Sequence, residues 1–444
     1  MGVNRQISRL AKILVESEGI TFGEAEARLS GLTLEVVVGP DAVTPAAHAA
    51  ILTAVNVGHR TFIGGVRVVG AVDQPINSAL PLRAKTLREA VREIGASDFE
   101  GVALQRIVIG RQQPSDDPAP IALWWDGWRA GVCRPGVGSS GNGDNPLTGI
   151  AAGALGVGVA FLREYGRLQD PEPEIDLWPV EPGGEAPGFD EVFLPGALWL
   201  VGLGNLGQGY LWSLASLPYA DPSAVNLVLQ DADRLSEENW GTSVLVFGEP
   251  YGTLKTKNGE RFAEAKGFIV RRVDRKLMAT DRLQDDDPRV AVSGLDRIEP
   301  RKAMGAVGFD CIVDAGLGHT SKDFERFRVT VFDQTRSISE HFADAKEAEV
   351  DEAIYEQDAY RDLEARIGRC GMAEIAGASA AVPFVSALAA AVVVARLIAI
   401  ASGQACPASE VGKISQLSRR RKSAPATASV RTVAHAGRPK MRGD

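Results

Sequence analysis

The run Leu198-Trp-Leu-Val-Gly-Leu-Gly-Asn-Leu-Gly207 constrains the fold of this chain more than any other feature of its sequence. An apolar segment leads directly into three glycines with the spacing GxGxxG. Glycines at these positions permit a tight turn and let another group approach the backbone closely. The run therefore predicts a buried strand, a turn and then a helix whose N-terminus presents free N–H groups to a phosphate.

A proline-rich segment, residues 166–195, divides the chain into two halves. It contains six prolines and a Gly-Gly pair among acidic residues, a composition that is typical of a linker. Its apolar residues Leu177 and Trp178 are candidates to hold the segment against the protein surface. We therefore expect one domain on each side of an acidic linker.

Each half alternates strand-like and helix-like segments. Each also closes with a proline near the start of a long helix of small residues, Pro146–Glu164 and Val382–Ile400. This alternation predicts an α/β fold with mostly parallel sheets. We interpret it as two tandem Rossmann-like units, 1–165 and 196–403, of which the second carries the glycine motif. Chance similarity between two α/β halves is the alternative interpretation.

Apolar periodicity places the elements of each half. In the first half, the predicted elements are helices at Gln6–Glu16, Phe22–Ser30, Pro45–His59 and Leu87–Ile94, and strands at Leu34–Val38, Val66–Val72, Arg106–Gly110 and within 121–133. In the second half, they are a helix at Gly207–Leu217 and strands at Leu198–Val201, Val225–Gln230, Phe268–Val273, Val290–Ser293, Cys311–Asp314 and Arg328–Phe332.

The composition limits the function classes. Hydrophobic residues make up 45% of the 444 residues, and the net charge of −9 argues against nucleic-acid or membrane binding as the main function. The longest apolar run, Ala376–Ile400, is interrupted by Ser, Pro and Arg and predicts a buried helix, not a membrane span. Met1–Ile13 lacks the layout of a signal peptide. The basic segment 419–444, with eight Lys or Arg and one acid, is expected to be disordered.

Four scattered cysteines without a CxxC pair fit a reducing cytoplasm. Cys370 is the candidate nucleophile among them, because Gly368 and Gly371 beside it predict an accessible loop. Arg366 and Arg369 would lower the pKa of its thiol. The alternative is a small apolar side chain packed in a turn.

Polar residues follow the strand that comes after the glycine motif. This strand ends in Asp231-Ala-Asp233, and Asn239, Gly252 and Lys255 come next along the chain. One acid at a strand end would bind a ribose hydroxyl in a nicotinamide oxidoreductase. The additional Asn and Lys are not required for that chemistry, so they favour a different nucleotide enzyme.

These motifs, in this order, resemble the ThiF/MoeB/ubiquitin-activating family of adenylyltransferases over roughly residues 190–400. The resemblance implies an ATP site in which Asp231 holds the ribose while Asn239 and Lys255 lie beside the phosphates. The cofactor-binding residues that it implies are Gly202, Gly204, Asn205, Gly207, Asp231, Asp233, Asn239, Lys255 and Arg301.

In the same resemblance, Asp296 matches the magnesium-binding Asp of the family and Arg301 matches the Arg that follows it. A Lys and a magnesium ion would offset the repulsion between an attacking carboxylate and the α-phosphate. A solvated surface charge is the alternative for Lys255. Capping of the helix predicted at Ile298–Val307 is the alternative for Asp296.

One family residue is absent. The Arg three residues after the family's Asn is Thr242 here, so a charge-assisted phosphate contact is lost. Asn4-Arg-Gln-Ile7 resembles the N-terminal helix of the family, whose Arg reaches the ATP of the partner unit, and implies that Arg5 substitutes. The alternative is an ordinary amphipathic helix.

The first half contains no equivalent glycine loop and resembles the inactive repeat of fused ubiquitin-activating enzymes. Ten acids between Glu340 and Glu364, within an acidic segment 335–375, are a solvated helix pair or a docking face for a basic partner.

The resemblance implies a magnesium-dependent, ATP-consuming enzyme that adenylates the C-terminal carboxylate of a ubiquitin-like protein ending in Gly. Cys370 would then take the acyl group as a thioester and pass it to a conjugating-enzyme partner. The alternatives are a sulfur-carrier adenylyltransferase without a thioester step, a degenerate nucleotide-binding interaction module and a nicotinamide oxidoreductase. A homodimer is left open.

Overall fold

The computed structural model describes residues 8–111, 120–134, 143–178, 186–247, 251–346, 352–423, 425–426, 428 and 430–437. The first unit contains helices α1 (Ser8–Glu18), α2 (Phe22–Gly31), α3 (Pro45–Gly58), α4 (Leu87–Ile94) and α5 (Pro146–Glu164). Its strands are β1 (Thr33–Val38), β2 (Gly65–Gly70), β3 (Gln105–Ile109), β4 (Ile121–Asp126), β5 (Arg129–Cys133) and β6 (Glu174–Asp176).

The second unit continues the numbering. Its helices are α6 (Asn205–Ala215), α7 (Lys255–Lys266), α8 (Ile298–Val307), α9 (Ile338–His341), α10 (Asp358–Gly377) and α11 (Pro383–Ala401). Its strands are β7 (Phe193–Pro195), β8 (Ala197–Val201), β9 (Asn226–Gln230), β10 (Ile269–Val273), β11 (Val290–Ser293), β12 (Cys311–Leu317), β13 (Arg326–Phe332), β14 (Cys406–Pro407), β15 (Ser409–Lys413), β16 (Arg421–Lys422), β17 (Pro425–Ala426) and β18 (Val433–His435).

The two main sheets have related but different strand orders, with one strand beyond β1 in the first sheet and two strands beyond β8 in the second. The first sheet has the order β2-β1-β3-β4-β5-β6, parallel through β4 and antiparallel beyond it. The second has the order β10-β9-β8-β11-β12-β13-β15-β16, parallel through β12 and antiparallel beyond it. The predicted class, two tandem Rossmann-like units with mostly parallel sheets, is confirmed. In each sheet the strand order reverses beside the first strand, where such folds bind ligands.

Four helices pack together between the sheets: α3 and α5 from the first unit, and α6 and α11 from the second. Their backbones approach very closely, because a Cβ on Gly149 would lie 2.1 Å from the Ala46 carbonyl oxygen. A Cβ on Gly209 of α6 would lie 3.1 Å from the Ala390 Cβ of α11. The helices α5 and α11 are long and apolar enough to cross a membrane, yet 94% of the apolar window of each is buried, as in core helices.

The linker is attached to both units. Leu177 is fully buried, and the Trp178 ring lies 4.8 Å from that of Trp128, so the expectation that these residues hold the linker is confirmed. On α11, the buried Arg396 donates a hydrogen bond to the Leu177 carbonyl (3.1 Å) and forms an ion pair with the buried Glu410 of β15. The described part of the linker is therefore held against both units.

The basic C-terminal segment differs from the expectation of disorder. Strand β18 pairs antiparallel with β7, and Ala434 and Ala436 are buried at 2% and 0% exposure. The expectation is therefore wrong for residues 430–437, and also for Arg421–Lys422, where β16 pairs antiparallel with β15. The high positive charge of the segment concealed this short alternating stretch, whose small side chains bury against β7 without burying a charge.

The close approach of α3 and α5 predicts a specific sensitivity. Gly149→Ala should lower the free energy of unfolding by about 1–3 kcal/mol, because its methyl group would overlap the Ala46 carbonyl and force the helices apart. Urea denaturation followed by circular dichroism measures the change. Gly23→Ala is the matched control, since a Cβ there would meet nothing within 4 Å. Equal stability of the two variants would contradict the packing described.

Candidate nucleotide-binding site

Gly202 and Gly207 form a tight turn at the carboxyl end of β8, and Gly294, after β11, packs against this turn. Gly202 has a φ of 87°, which only glycine adopts readily. A Cβ on Gly207 would lie 2.0 Å from the Gly202 carbonyl oxygen, and one on Gly294, just after β11, would lie 2.8 Å from it. The turn, the start of α6 and the end of β11 therefore meet at distances that exclude side chains.

The opposite side of this turn is open. Gly204 is the N-cap of α6, no side chain caps the helix, and a Cβ on Gly204 would meet nothing within 4 Å. Both side-chain polar atoms of Asn205 are buried and have no hydrogen-bond partner among the described residues. The uncapped N-terminus of α6 therefore presents backbone N–H groups on the side that an anion could approach.

Asp231 holds the turn from the neighbouring strand. Its carboxylate accepts hydrogen bonds from the backbone N–H of Leu203 (2.6 Å) and of Asp233 (2.7 Å). Burial raises the pKa of this carboxyl, while nearby Lys255 and the two amides act in the opposite direction. Lys255 Nζ lies 2.9 Å from Asp233 Oδ2, so these three predicted site residues lie together at the turn.

Asn239 lies in a 3-10 turn, Glu237–Gly241, and its Oδ1 accepts a hydrogen bond from the Ser236 N–H (2.9 Å). Helix α1 approaches this turn, because Arg9 and Glu238 form an ion pair at 3.8 Å. The predicted residue Arg5 precedes α1 and lies outside the described residues. Thr242, which stands where the family has its Arg, is buried.

The structure places Arg301 beneath the loop that carries Asp296. Its Nη2 donates to the carbonyl oxygens of Leu295 (2.6 Å) and Ala315 (3.0 Å), and its Nε lies 3.2 Å from the buried Asp314. Arg301 is only 7% exposed, so its guanidinium holds protein groups in place. Asp296 itself is exposed and stands one residue before Arg297, the N-cap of α8.

The carboxylates near the turn can be compared with those that usually bind magnesium. In nucleotide enzymes this ion usually binds one or two carboxylates together with substrate phosphates and water. Within the described ranges, no group of three or more His, Cys, Asp or Glu side chains forms a metal cage. An exposed carboxylate at the end of β11 fits a magnesium ion that arrives with a nucleotide.

Cys370 lies in a helix, not in the loop that its flanking glycines predicted. Gly368, with φ 77° and ψ 164°, is not helical, so a first helical segment of α10 ends there and a second, which contains Cys370, begins after it and runs to Gly377. The backbone of α10 is held by the first unit, because Lys12 Nζ donates to the carbonyls of Ala376 and Ala378 (2.6 Å each).

The first unit closes the equivalent turn. A Cβ on Gly39 would lie 2.5 Å from the Arg111 carbonyl oxygen, and Asp41 accepts a hydrogen bond from the Arg111 N–H (2.6 Å). Thr44 caps α3. The first unit's turn therefore differs from that of the second unit, where no side chain caps α6.

Two residues of the site were not predicted from the sequence. Gly294 follows a predicted strand, which was a usable signal. Gln208 links α6 to the turn by donating to the Leu203 carbonyl (3.2 Å), and nothing in the sequence pattern marked it.

The fold and the site define a two-unit α/β protein whose second unit carries a glycine-rich turn at the point where the strand order reverses. Family models of the BilD N-terminal domain and the BilD C-terminal domain match residues 33–171 and 194–404. The bacterial E1-like protein BilD of Collimonas sp. (strain OK412) is 32% identical over 414 residues, 88% of each chain. The chain therefore belongs to the BilD family of bacterial E1-like proteins. This confirms the E1-like part of the resemblance.

Solved structures show lower similarity. E. coli MccB is 13% identical with a TM-score of 0.33, covering 56% of this chain and 67% of MccB. The E. coli tRNA N6-threonylcarbamoyladenosine dehydratase TcdA is 13% identical with a TM-score of 0.29, covering 46% of this chain and 84% of TcdA.

The buried Arg301–Asp314 pair predicts an asymmetric response to mutation. Arg301→Met should cost about 3–5 kcal/mol of unfolding free energy, because it leaves the Asp314 carboxylate buried without its cation. The double variant Arg301→Met with Asp314→Leu should recover much of that loss. Urea denaturation compares the two, and a single variant no less stable than the double would contradict this account.

Proposed function

We propose that the second unit binds ATP with magnesium and adenylates the C-terminal carboxylate of a small ubiquitin-like protein. The observation that carries the proposal is the turn Gly202–Gly207, closed by glycines on one side and open at Gly204 on the other. An uncapped helix N-terminus on the open side suits a triphosphate. Membership of the E1-like BilD family supports adenylation over nicotinamide chemistry.

Each residue at the turn has a separate role in the proposed binding of ATP. Asp231 uses one lone pair of each oxygen on a backbone N–H, so further lone pairs are available to a ribose hydroxyl. Asn239 and Lys255 would lie beside the phosphates, with Asp233 orienting Lys255. Asp296 would hold the magnesium ion, which supplies positive charge to the phosphates.

In the proposed reaction, an oxygen of the partner's carboxylate attacks the α-phosphorus. The bond from that phosphorus to the bridging oxygen breaks, and pyrophosphate leaves with the electron pair. Lys255 offsets the negative charge that accumulates as two anions meet. Arg301 acts indirectly in this proposal, by fixing the carbonyl that precedes Asp296.

A thioester step at Cys370 is the second part of the proposal. The thiolate would attack the acyl carbon, and AMP would leave. Helix α10 is bound to α1 and α2, with Arg366 and Glu26 paired at 2.9 Å. Helix α1 also reaches the 3-10 turn of Asn239 through Arg9, which supports a phosphate contact by Arg5 from the same end of the chain.

A sulfur-carrier adenylyltransferase would use the same nucleotide site without Cys370. A degenerate nucleotide-binding interaction module is the third candidate, favoured by buried Thr242 at the position of the family Arg. The acidic segment 335–375 would dock the basic face of a ubiquitin-like protein or a conjugating enzyme. We place the reaction in the cytoplasm.

The nucleotide proposal predicts that the protein binds ATP with magnesium more tightly than NAD in calorimetry. Lys255→Ala and Asp296→Ala should abolish or strongly reduce pyrophosphate exchange stimulated by the cognate partner. Lys255→Ala should lower turnover more than ATP affinity, because the charge it offsets is largest in the transition state. Exposed Lys257, two residues along α7, gives the matched control Lys257→Ala, with unchanged exchange. NAD binding as tight as ATP binding would overturn the adenylation proposal.

The thioester proposal predicts a covalent adduct with the ubiquitin-like partner that survives denaturant and is lost on adding a thiol reductant. Cys370→Ala should remove the adduct and leave pyrophosphate exchange intact, since adenylation needs only the nucleotide site. Cys133→Ala is the control and should retain the adduct. An adduct mapped by mass spectrometry to another cysteine would reject Cys370 and keep the reaction class.

A further inference from the structure

Two side chains of the first unit reach into the second unit from the end of α3. Asn56 Nδ2 donates to the Val244 carbonyl (3.0 Å), and Arg60 Nη2 donates to the Val246 carbonyl (3.0 Å). Arg60 Nη1 also donates to the Trp240 carbonyl. Both side chains are fully buried. Together they hold three backbone carbonyls of the segment 240–246, which directly follows Asn239.

The same segment is tied to the glycine turn on its other side. The Leu245 N–H donates to Gln208 Oε1 (2.9 Å), and Gln208 Nε2 donates to the Leu203 carbonyl (3.2 Å). The Leu203 N–H is held by Asp231. A continuous path of hydrogen bonds therefore runs from α3 of the first unit to the turn that opens at Gly204.

Burying the charge of Arg60 between the two units carries a high desolvation cost. In the described part of the chain, no carboxylate lies within ion-pairing distance of it. Its charge is balanced by two backbone carbonyls, by Asn56 Oδ1 (3.1 Å from Arg60 Nε) and by the rings of Trp240 and Phe247, 5.7 and 6.0 Å away. Burying a charge without a counter-ion is costly, and apolar residues would join two surfaces at lower cost. The planar fork of a guanidinium, however, fixes the relative positions of the carbonyls that it binds.

We propose that Arg60 is a positioning residue for the nucleotide site: the first unit, which lacks its own glycine motif, sets the geometry of segment 240–246 and, through Gln208, of the glycine turn. This inference rests on the proposed function for its effect on ATP. It assigns the first unit a role in the activity of the second, carried by Asn56 and Arg60.

The test uses the full-length chain and Arg60→Met, which removes the guanidinium and keeps an unbranched side chain. Arg396→Met is the matched control, because Arg396 is equally buried but binds Leu177 and Glu410. We expect both variants to melt at lower temperature than the wild type. Only Arg60→Met should weaken binding of ATP with magnesium, by about tenfold or more, because the glycine turn would lose its fixed position.

Hydrogen–deuterium exchange without nucleotide gives a second readout. Arg60→Met should accelerate exchange in peptides covering 203–208 and 240–247, whereas Arg396→Met should leave them unchanged. If Arg60→Met does not fold, Asn56→Leu removes one bond of the same set and should shift both readouts in the same direction by a smaller factor.

Unchanged ATP affinity and unchanged exchange in a folded Arg60→Met variant would overturn the inference. Equal changes in Arg396→Met would also overturn it, because they would reflect general loss of stability. If the wild type binds no ATP, the proposed function fails, and the exchange of 203–208 still decides whether Arg60 positions the turn.

Discussion

The close packing of α3, α5, α6 and α11 is the constraint on which the rest of the structure depends. Glycine and alanine let these helix backbones approach until a methyl group would overlap a carbonyl, as at Gly149. Helix α6 begins at the glycine turn, so its position in this layer fixes the place of its N-terminus. The position of a nucleotide site at a helix N-terminus depends on the position of that helix, and both units pack against α6.

Hydrogen bonds fix the register of the helices in this apolar layer. Small apolar residues tolerate sliding of one helix along another, whereas the carbonyls held by Asn56 and Arg60 can be matched in one register. The same logic applies to α1, where Lys12 binds two carbonyls beyond Cys370 while Arg9 pairs with Glu238. The first unit thus contacts the neighbourhoods of both proposed reaction centres.

Two buried ion pairs hold opposite parts of the second unit. Arg301 and Asp314 fix the loop before Asp296, and Arg396 and Glu410 fix the linker against α11 and β15. Pairs of this kind add little net stability compared with apolar packing, but removing one partner is costly. Their value is that a charged fork accepts only one arrangement of neighbouring carbonyls, so each pair keeps a functional loop or a connection in a defined place.

The sequence by itself determined the local features: the strand, turn and helix at Gly202–Gly207, the series Asp231, Lys255 and Asp296, and the two α/β units. Local spacing suffices there, since each signal lies within one element or at its end. Only the tertiary structure decided the rest. It placed Cys370 in a helix and paired Arg301 with Asp314. It also formed strand β18 in the basic segment, and it hydrogen-bonded Arg60 to a segment some 180 residues away. Those outcomes depend on which surfaces meet after folding, and no periodicity in a single sequence records that.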